Sequence, residues 1–196
     1  MSSIPDFGGM LQKEFKKKSF GVNEKLGMQK LFGMIVLGPS FSGKSNLAFH
    51  ILKESPHVNS HLHIIVRNRV DAIKEIPNAL QLVIIDDYSN DKKLQRNLFS
   101  HFFTRGRHKG LSTIFIAHSY FATDKMIRLN SEYIAILNAN SKRDLQLILK
   151  DFNLPGVSED DIYRYFKQAT SEKGQMLFID SVKQQIRKNF KGEVIN

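Results

Sequence analysis

Residues 35–49 read IVLGPSFSGKSNLAF, and residues 38–45 within them match the pattern G-x-x-x-x-G-K-[ST] at every position. An apolar run, Leu31–Leu37, precedes the pattern, and a helical pattern, Ser45–Lys53, follows it. In this context the pattern predicts a loop that binds phosphate. Its glycines allow a tight turn that aims successive N–H groups at phosphate oxygens, and the helix adds the positive end of its dipole. The alternative is an ordinary glycine-rich connection between a strand and a helix.

The loop assigns nucleotide binding to a continuous set of residues. These are Gly38, Pro39, Ser40, Phe41, Ser42, Gly43, Lys44, Ser45 and Asn46. We expect Lys44 to neutralise charge on the β and γ phosphates and the Ser45 hydroxyl to ligate Mg²⁺. The expected cofactors are therefore ATP and Mg²⁺.

A second motif, LVIIDD at residues 82–87, is an apolar strand that ends in two acids. Asp86 is expected to hold Mg²⁺, as a Walker B acid does, and Asp87 to polarise the attacking water as a general base. The alternative is an exposed acidic turn. A further strand candidate, Leu62–Val66, lies between the two motifs in sequence. This order suits NTPases in which an extra strand separates the phosphate-binding strand from the acidic strand.

Polar residues around the next strand, Thr113–Ala117, complete the candidate site. His118 follows that strand and is the candidate sensor of the γ-phosphate; a loop histidine without a role is the alternative. The segment before the strand contains Arg105 and Arg107. It has three interpretations: an arginine finger that reaches a neighbouring subunit's nucleotide, a DNA-facing basic loop, or a solvated helix end. A finger is favoured, with Arg107 ahead of Arg105.

Apolar runs alternate with helical patterns from residue 31 onward, which predicts a mostly parallel central sheet flanked by helices. An amphipathic helix is expected over Lys92–Phe103, with apolar positions Leu94, Leu98 and Phe102, and another begins after the N-cap Ser158. The predicted organisation is a basic N-terminal arm (1–30, with a helix near Met10–Lys18), an ATPase domain (31–180) and a basic C-terminal helix or tail (181–196).

Composition limits the function classes. The chain has 196 residues, a formal net charge of +10 and a pI near 9.7, an excess that favours a polyanionic partner or reflects a solvated basic surface. It has no cysteines, which excludes disulfides and cysteine-based zinc sites. No apolar run reaches the roughly 20 residues that span a bilayer, and the N-terminus lacks the apolar core of a secretory signal.

Four segments carry a resemblance to a known family. GPSFSGKS, LVIIDDY, FFTRGRHKGLSTIFIAHSYF and IRLNSEYIAILNANSKRDLQLIL resemble the genome-packaging ATPases of large double-stranded DNA viruses and virophages, in the FtsK–HerA group. The resemblance runs from about Leu31 to Ile179. Two positions depart from the wider group: Asp87 stands where many relatives have Glu, and His118 stands where Gln is common.

The resemblance implies a RecA-like (ASCE) P-loop NTPase fold and a homo-oligomeric ring of five or six subunits. Such a ring hydrolyses ATP at subunit interfaces and moves double-stranded DNA, without sequence preference, into a preformed capsid. A capsid or portal protein is then a further partner, and the host cytoplasm, a viral factory or the virion is the expected location. Two alternatives remain: a cellular or plasmid DNA pump of the same superfamily, and an assembly protein whose nucleotide acts as a switch.

Overall fold

The computed structural model describes residues 21–55, 61–66, 80–139, 141–152 and 154–194. The first two thirds of the basic N-terminal arm, including the helix expected near Met10–Lys18, lie outside these residues. Its last part, which is described, forms a short antiparallel hairpin between Val22–Asn23 and Met28–Gln29.

The helices and strands alternate along most of the chain. The strands are β1 (Val22–Asn23), β2 (Met28–Gln29), β3 (Gly33–Leu37), β4 (His61–Ile65), β5 (Gln81–Ile85), β6 (Leu111–Ala117), β7 (Tyr133–Ile136), β8 (Leu177–Asp180) and β9 (Gln185–Lys188). The α-helices are α1 (Lys44–Lys53), α2 (Lys92–Leu94), α3 (Ser100–Arg105), α4 (Lys125–Leu129), α5 (Lys142–Asp151) and α6 (Glu159–Ala169). A π-helical segment, Gln95–Phe99, joins α2 to α3, and a 3₁₀ turn, Gly106–Lys109, follows α3.

A seven-stranded sheet in the order β4-β5-β6-β3-β7-β8-β9 forms the centre of the fold. The first five strands are parallel, and β8 and β9 add antiparallel pairings at one edge. The expected mostly parallel α/β sheet is therefore confirmed. The strand that separates β3 from β5 is β6, whereas β4, which lies between the two motifs in sequence, forms the outer edge of the sheet.

Both faces of the sheet are buried, as β3 illustrates. Met34 and Val36 pack into the hydrophobic cluster that includes residues of α1, whereas Ile35 and Leu37 pack into the cluster on the opposite face. All five residues of β3 are buried. Parallel strands covered on both sides explain why the sequence shows continuous apolar runs in place of alternation.

The C-terminal segment differs from the helix or tail expected from the sequence. Strand β9 pairs with β8, and Ile186 is fully buried in the core. Arg187 is also buried, and its Nη2 donates to Asp180 Oδ2 at 2.8 Å. Basic residues at 183–191 suggested a solvated tail, but one of these charges is neutralised inside the fold by an acid on the neighbouring strand.

The amphipathic helix expected over Lys92–Phe103 is present as α2, the π-helical segment and α3. Its buried row is Gln95, Phe99 and Phe103, while Leu94, Leu98 and Phe102 are only partly buried against the same core. Helix α6 begins after Ser158, whose Oγ accepts from the Asp161 N–H, so the predicted N-cap is confirmed. Among the described residues, no helix combines the length and apolar character that crossing a membrane requires.

Candidate nucleotide site

The glycine loop lies where β3 leaves the sheet. The Gly38 N–H donates to the carbonyl of Ala117, the last residue of β6, at 3.2 Å. A Cβ at Gly38 would lie 2.3 Å from Ser42 Oγ, so a larger residue there would force the Ser42 side chain to move. Gly43 has a φ of 95°, a left-handed conformation in which glycine is unstrained. The loop therefore favours glycine at both motif positions, through backbone conformation at Gly43 and through the close Ser42 side chain at Gly38.

Lys44 folds back over the loop. Its Nζ donates to the carbonyls of Gly38 and Pro39 at 2.8 and 2.7 Å, and the residue is buried. Burial lowers the pKa of the Lys44 ammonium, while the Asp86 and Asp87 carboxylates act to raise it. The ammonium therefore contacts the phosphate loop and lies within electrostatic reach of the paired acids.

The paired acids follow β5 at the same edge of the sheet as the loop. The Asp86 N–H donates to Ile65 O at 2.9 Å, which fixes the start of this turn beside β4. Burial raises the pKa of the Asp86 carboxyl, and Lys44 and the Asp87 N–H act to lower it. Asp87 is exposed and has a φ of 65°, an uncommon conformation for a residue other than glycine. Backbone strain of this kind clusters at functional sites.

His118 lies beside the acids, as expected for a residue that follows β6. Its N–H donates to Ser89 Oγ at 3.3 Å, and its side chain is close enough to act on the Asp86 carboxyl electrostatically. The structure thus brings the glycine loop, both acids and His118 together at the carboxyl ends of adjacent parallel strands. This is the edge at which ligands bind in such sheets.

Arg105 and Arg107 lie at the opposite end of the parallel strands, where β6 begins. Arg107 precedes β6, and its Nη1 lies 2.7 Å from Oε1 of Glu132, which precedes β7. Glu132 Oε2 also accepts from the N–H of Gly33, the first residue of β3, at 2.6 Å. Arg105 is exposed and lines a small cavity of about 160 Å³ beside the start of β5. Neither arginine lies at the phosphate loop of its own chain.

Gln95 is a site residue that sequence reasoning missed. It is fully buried, and its Nε2 donates to the carbonyls of Tyr88 and Ser89, which follow the paired acids. Its Oε1 accepts from the Asp124 N–H at 2.7 Å, beyond the His118 segment. Gln95 therefore ties together the loops that carry the acids and His118. The only signal in the sequence is a polar residue on a helix with large apolar residues four and eight positions later.

Asp144 supports the His118 loop from the other side and was also missed. Its buried carboxylate accepts from Ser119 Oγ and from the Phe121 N–H, each at 2.9 Å. These two hydrogen bonds to one carboxylate fix the loop that directly follows His118, the candidate sensor. Nothing in the local sequence distinguishes Asp144 from a favourable acid in the first turn of a helix.

The residues present fit a magnesium–nucleotide complex. Ser42 Oγ is buried within the loop and has no hydrogen-bond partner among the described residues, which leaves it available to a phosphate oxygen. Ser45 is exposed at the start of α1, and Asp86 is half-buried nearby in the fold. A hydroxyl, a carboxylate and phosphate oxygens are the hard ligands that Mg²⁺ prefers. Within the described ranges, no cluster of three or more His, Cys, Asp or Glu residues offers a different metal site.

Comparison with known protein families assigns most of the chain to one family. The profile described as Poxvirus A32 protein matches residues 58–190, more than half of the chain. The chain belongs to this family. The matched range contains both acids, His118 and the two arginines, but begins after the glycine loop. The assignment of that loop therefore rests on its motif and its geometry.

Solved structures with the same fold include packaging proteins of Sulfolobus turreted icosahedral viruses. The genome packaging NTPase B204 from Sulfolobus turreted icosahedral virus 2 in complex with AMPPCP matches with a TM-score of 0.61 and 16% identity, over 85% of this chain and 100% of that one. Its complex with AMP gives a TM-score of 0.59, 16% identity and the same coverage. The DNA-packaging ATPase B204 of Sulfolobus turreted icosahedral virus matches with a TM-score of 0.56 and 15% identity, over 82% of this chain and 97% of that one.

These matches confirm the RecA-like α/β fold and, with the viral family, the resemblance to viral genome-packaging ATPases drawn from the sequence. No curated protein sequence matches the chain significantly. The roles of the individual site residues rest on the geometry described above.

Proposed function

We propose that this protein hydrolyses ATP and uses the energy to move double-stranded DNA into a viral capsid. The observation that carries the proposal is the convergence of Lys44, Asp86 and Asp87 at the carboxyl edge of a RecA-like sheet, in a chain of a viral family. The packaging role of the structurally similar B204 proteins supports the choice of DNA as cargo.

The loop binds the triphosphate by an exchange of partners. Lys44 Nζ gives up the carbonyls of Gly38 and Pro39 for the β and γ phosphates, whose negative charge suits an ammonium better. Backbone N–H groups of the loop and the N-terminus of α1 add further donors. Ser42 Oγ gains the partner that it lacks within the described part of the chain.

Asp86 and Ser45 are the residues that would hold Mg²⁺, which when bound neutralises charge on the β and γ oxygens. Asp87 accepts a proton from the attacking water as the water oxygen bonds to the γ-phosphorus. The bond from that phosphorus to the bridging oxygen breaks, which releases ADP and inorganic phosphate. The aspartate has a shorter side chain than the glutamate of many relatives, and its left-handed backbone offers a way to bring the carboxylate closer.

Hydrolysis in this proposal requires a neighbouring subunit. Arg107 and Arg105 lie at the sheet edge opposite the loop, so in a ring of five or six subunits one protomer's arginine serves the next protomer's nucleotide. The net charge of +10 supports sequence-independent binding to the DNA backbone. A capsid or portal protein completes the assembly in the infected cell or the virion.

ATP turnover with and without linear duplex DNA tests this function. We expect the purified protein to hydrolyse ATP with Mg²⁺ and to do so faster with DNA. Lys44→Ala should abolish turnover. Lys53→Ala is the matched control, because it removes an exposed lysine from the other end of α1 and should leave turnover unchanged.

Hydrolysis that persists in Lys44→Ala would remove the loop from the mechanism. A wild-type protein that binds ATP but turns it over only once, with or without DNA, would favour the nucleotide-switch alternative.

A further inference from the structure

Two loops meet at the candidate nucleotide site. The acid loop, residues 86–91, follows β5 and carries the paired acids, and the His118 loop, residues 118–124, follows β6. A direct hydrogen bond joins them, from the His118 N–H to Ser89 Oγ, but at 3.3 Å it is long. The position of the acids relative to His118 therefore depends on further contacts.

Gln95, directly after α2, supplies such contacts to both loops. Its Nε2 donates to the carbonyls of Tyr88 and Ser89 at 2.8 and 2.9 Å. Its Oε1 accepts from the Asp124 N–H at 2.7 Å. The Gln95 side chain is fully buried, and a buried backbone group that loses its partner is destabilising. These three bonds therefore favour one arrangement of the two loops.

This set of bonds depends on a side-chain amide. Two carbonyls need a donor and one N–H group needs an acceptor, and an amide offers both from one planar group. A carboxylate only accepts, an ammonium only donates, and an apolar side chain does neither. The side chain of Gln95 therefore serves the loops through its functional group and not only by filling space.

The backbone at Gln95 departs from a regular helix. The π-helical segment begins at Gln95, whose carbonyl accepts from the Ser100 N–H. At the other end of this segment, the Phe99 ring contacts the Tyr88 ring edge-on, with centroids 4.9 Å apart. Single π-helical turns are rare and occur frequently at functional sites. The segment therefore contacts the acid loop at two points, through the Gln95 amide and the Phe99 ring.

We propose that Gln95 is a positioning residue for ATP hydrolysis. It holds the acid loop against the His118 loop, so that Asp87 and His118 face the γ-phosphate in one fixed arrangement. Because Gln95 is fully buried, it acts through the backbone of the two loops and not by touching ATP. This inference rests on the proposed function, which assigns hydrolysis to the paired acids and binding of the phosphates to the glycine loop.

Gln95→Met tests this role, because methionine is similar in size to glutamine but lacks the amide donor and acceptor. Steady-state assays of the full-length protein with duplex DNA give kcat, and calorimetry with a non-hydrolysable ATP analogue and Mg²⁺ gives the affinity. We expect kcat to fall about a hundredfold, as a misplacement of about 1 Å can cause. The affinity should stay within about threefold of the wild-type value, because the glycine loop is unchanged.

Asn23→Leu is the matched control, because Asn23 is another buried amide that joins two segments. Its Nδ2 donates to Glu54 O and Ser55 Oγ at 3.2 and 2.9 Å, after the end of α1. Its Oδ1 accepts from the Lys25 N–H at 3.0 Å. Leucine removes the same kinds of bond away from the two loops. This variant should melt below the wild-type protein but keep kcat within about threefold.

Gln95→Asn is a second variant, for use if Gln95→Met does not fold. It keeps a buried amide but is one methylene shorter, so it cannot bond to both loops at once. We expect kcat to fall at least about tenfold, again with an affinity within about threefold of the wild-type value. Thermal melts show which variants are folded.

The outcomes separate this inference from the proposed function. Wild-type kcat in a folded Gln95 variant, or an equal loss of kcat in Asn23→Leu, would overturn the positioning role and leave hydrolysis by the paired acids in place. A loss of affinity as large as the loss of kcat would also overturn it, as would failure of both Gln95 variants to fold. A wild-type protein that does not hydrolyse ATP would overturn the proposed function and this inference with it.

Discussion

Replacing Arg107 with alanine distinguishes a catalytic arginine from a structural one. The two roles predict different effects, because the ion pair between Arg107 and Glu132 can contribute only a small amount to the stability of the fold. Arg107 Nη1 lies 2.7 Å from Glu132 Oε1, and the side chains are 57% and 12% exposed. A pair with one partner more than half exposed stabilises a fold by about 1 kcal/mol or less. For a chain of this size that loss lowers the melting temperature by about 2–4 °C.

An arginine finger, by contrast, contributes about 10³- to 10⁵-fold to turnover. We therefore expect Arg107→Ala to melt only slightly below the wild-type protein, to bind ATP normally and to lose at least about a thousandfold in turnover. Steady-state ATPase assays, a nucleotide titration and a thermal melt measure the three quantities.

Glu132→Gln is the matched control. The amide oxygen still accepts from the Gly33 N–H, while the charge that pairs with Arg107 is removed. This variant should show a similar change in melting temperature but lose less than about tenfold in turnover, which corresponds to about 1.4 kcal/mol in the barrier.

Mixing variants tests whether Arg107 acts on a neighbouring subunit. Lys44→Ala subunits retain the arginine and Arg107→Ala subunits retain the phosphate loop, so a mixture should recover part of the turnover that each lacks alone. Equal losses of turnover in Arg107→Ala and Glu132→Gln would refute the catalytic role. Absence of recovery in the mixture would refute action between subunits.

Three further predictions concern the acids and the DNA. Burial raises the pKa of Asp86 in the folded protein, which means that the fold favours the protonated carboxyl. The stability that the protonated form contributes is fully present below the ordinary pKa of 3.8 and is lost as the pH rises through the raised pKa. Asp86→Asn should therefore melt above the wild-type protein at neutral pH but not in acid, and should lose Mg²⁺-dependent turnover; a lower melting temperature at neutral pH would contradict this. Asp87→Asn keeps a residue that tolerates a φ of 65° and should bind ATP without hydrolysing it, so unchanged turnover would exclude Asp87 as the base. Affinity for duplex DNA, measured by fluorescence anisotropy, should not depend on sequence and should fall by about 10³-fold or more between 50 and 200 mM salt; a shallow salt dependence would argue against a backbone-binding site.

The parts predicted best from the sequence are those with strong local determinants. The glycine loop favours glycine at Gly43 because of its left-handed backbone and at Gly38 because of the close Ser42 side chain, and these preferences are visible as a motif. Buried parallel strands such as β3 and β5 appear as uninterrupted apolar runs. Because the carboxyl ends of such strands share one edge, the motifs also predicted which site residues would meet.

The parts that were missed depend on contacts between distant segments. Arg187 reads as a surface charge until Asp180, on the neighbouring strand, neutralises it inside the fold. Gln95 reads as a solvent-facing helical residue, but the π-helical segment begins there and the side chain bonds to two loops. Glu132 connects the starts of β3 and β7 with Arg107, a pairing that no local pattern encodes.

The central claim is that the protein moves along double-stranded DNA. A direct measurement uses a linear duplex to which a labelled third strand is bound as a triplex, because a protein that moves along the duplex displaces that strand. With ATP and Mg²⁺ we expect the third strand to be released by the wild-type protein, and to remain bound with Lys44→Ala or Asp87→Asn. Release that proceeds equally well without ATP, or no release by a wild-type protein that hydrolyses ATP rapidly on the same duplex, would contradict the motor.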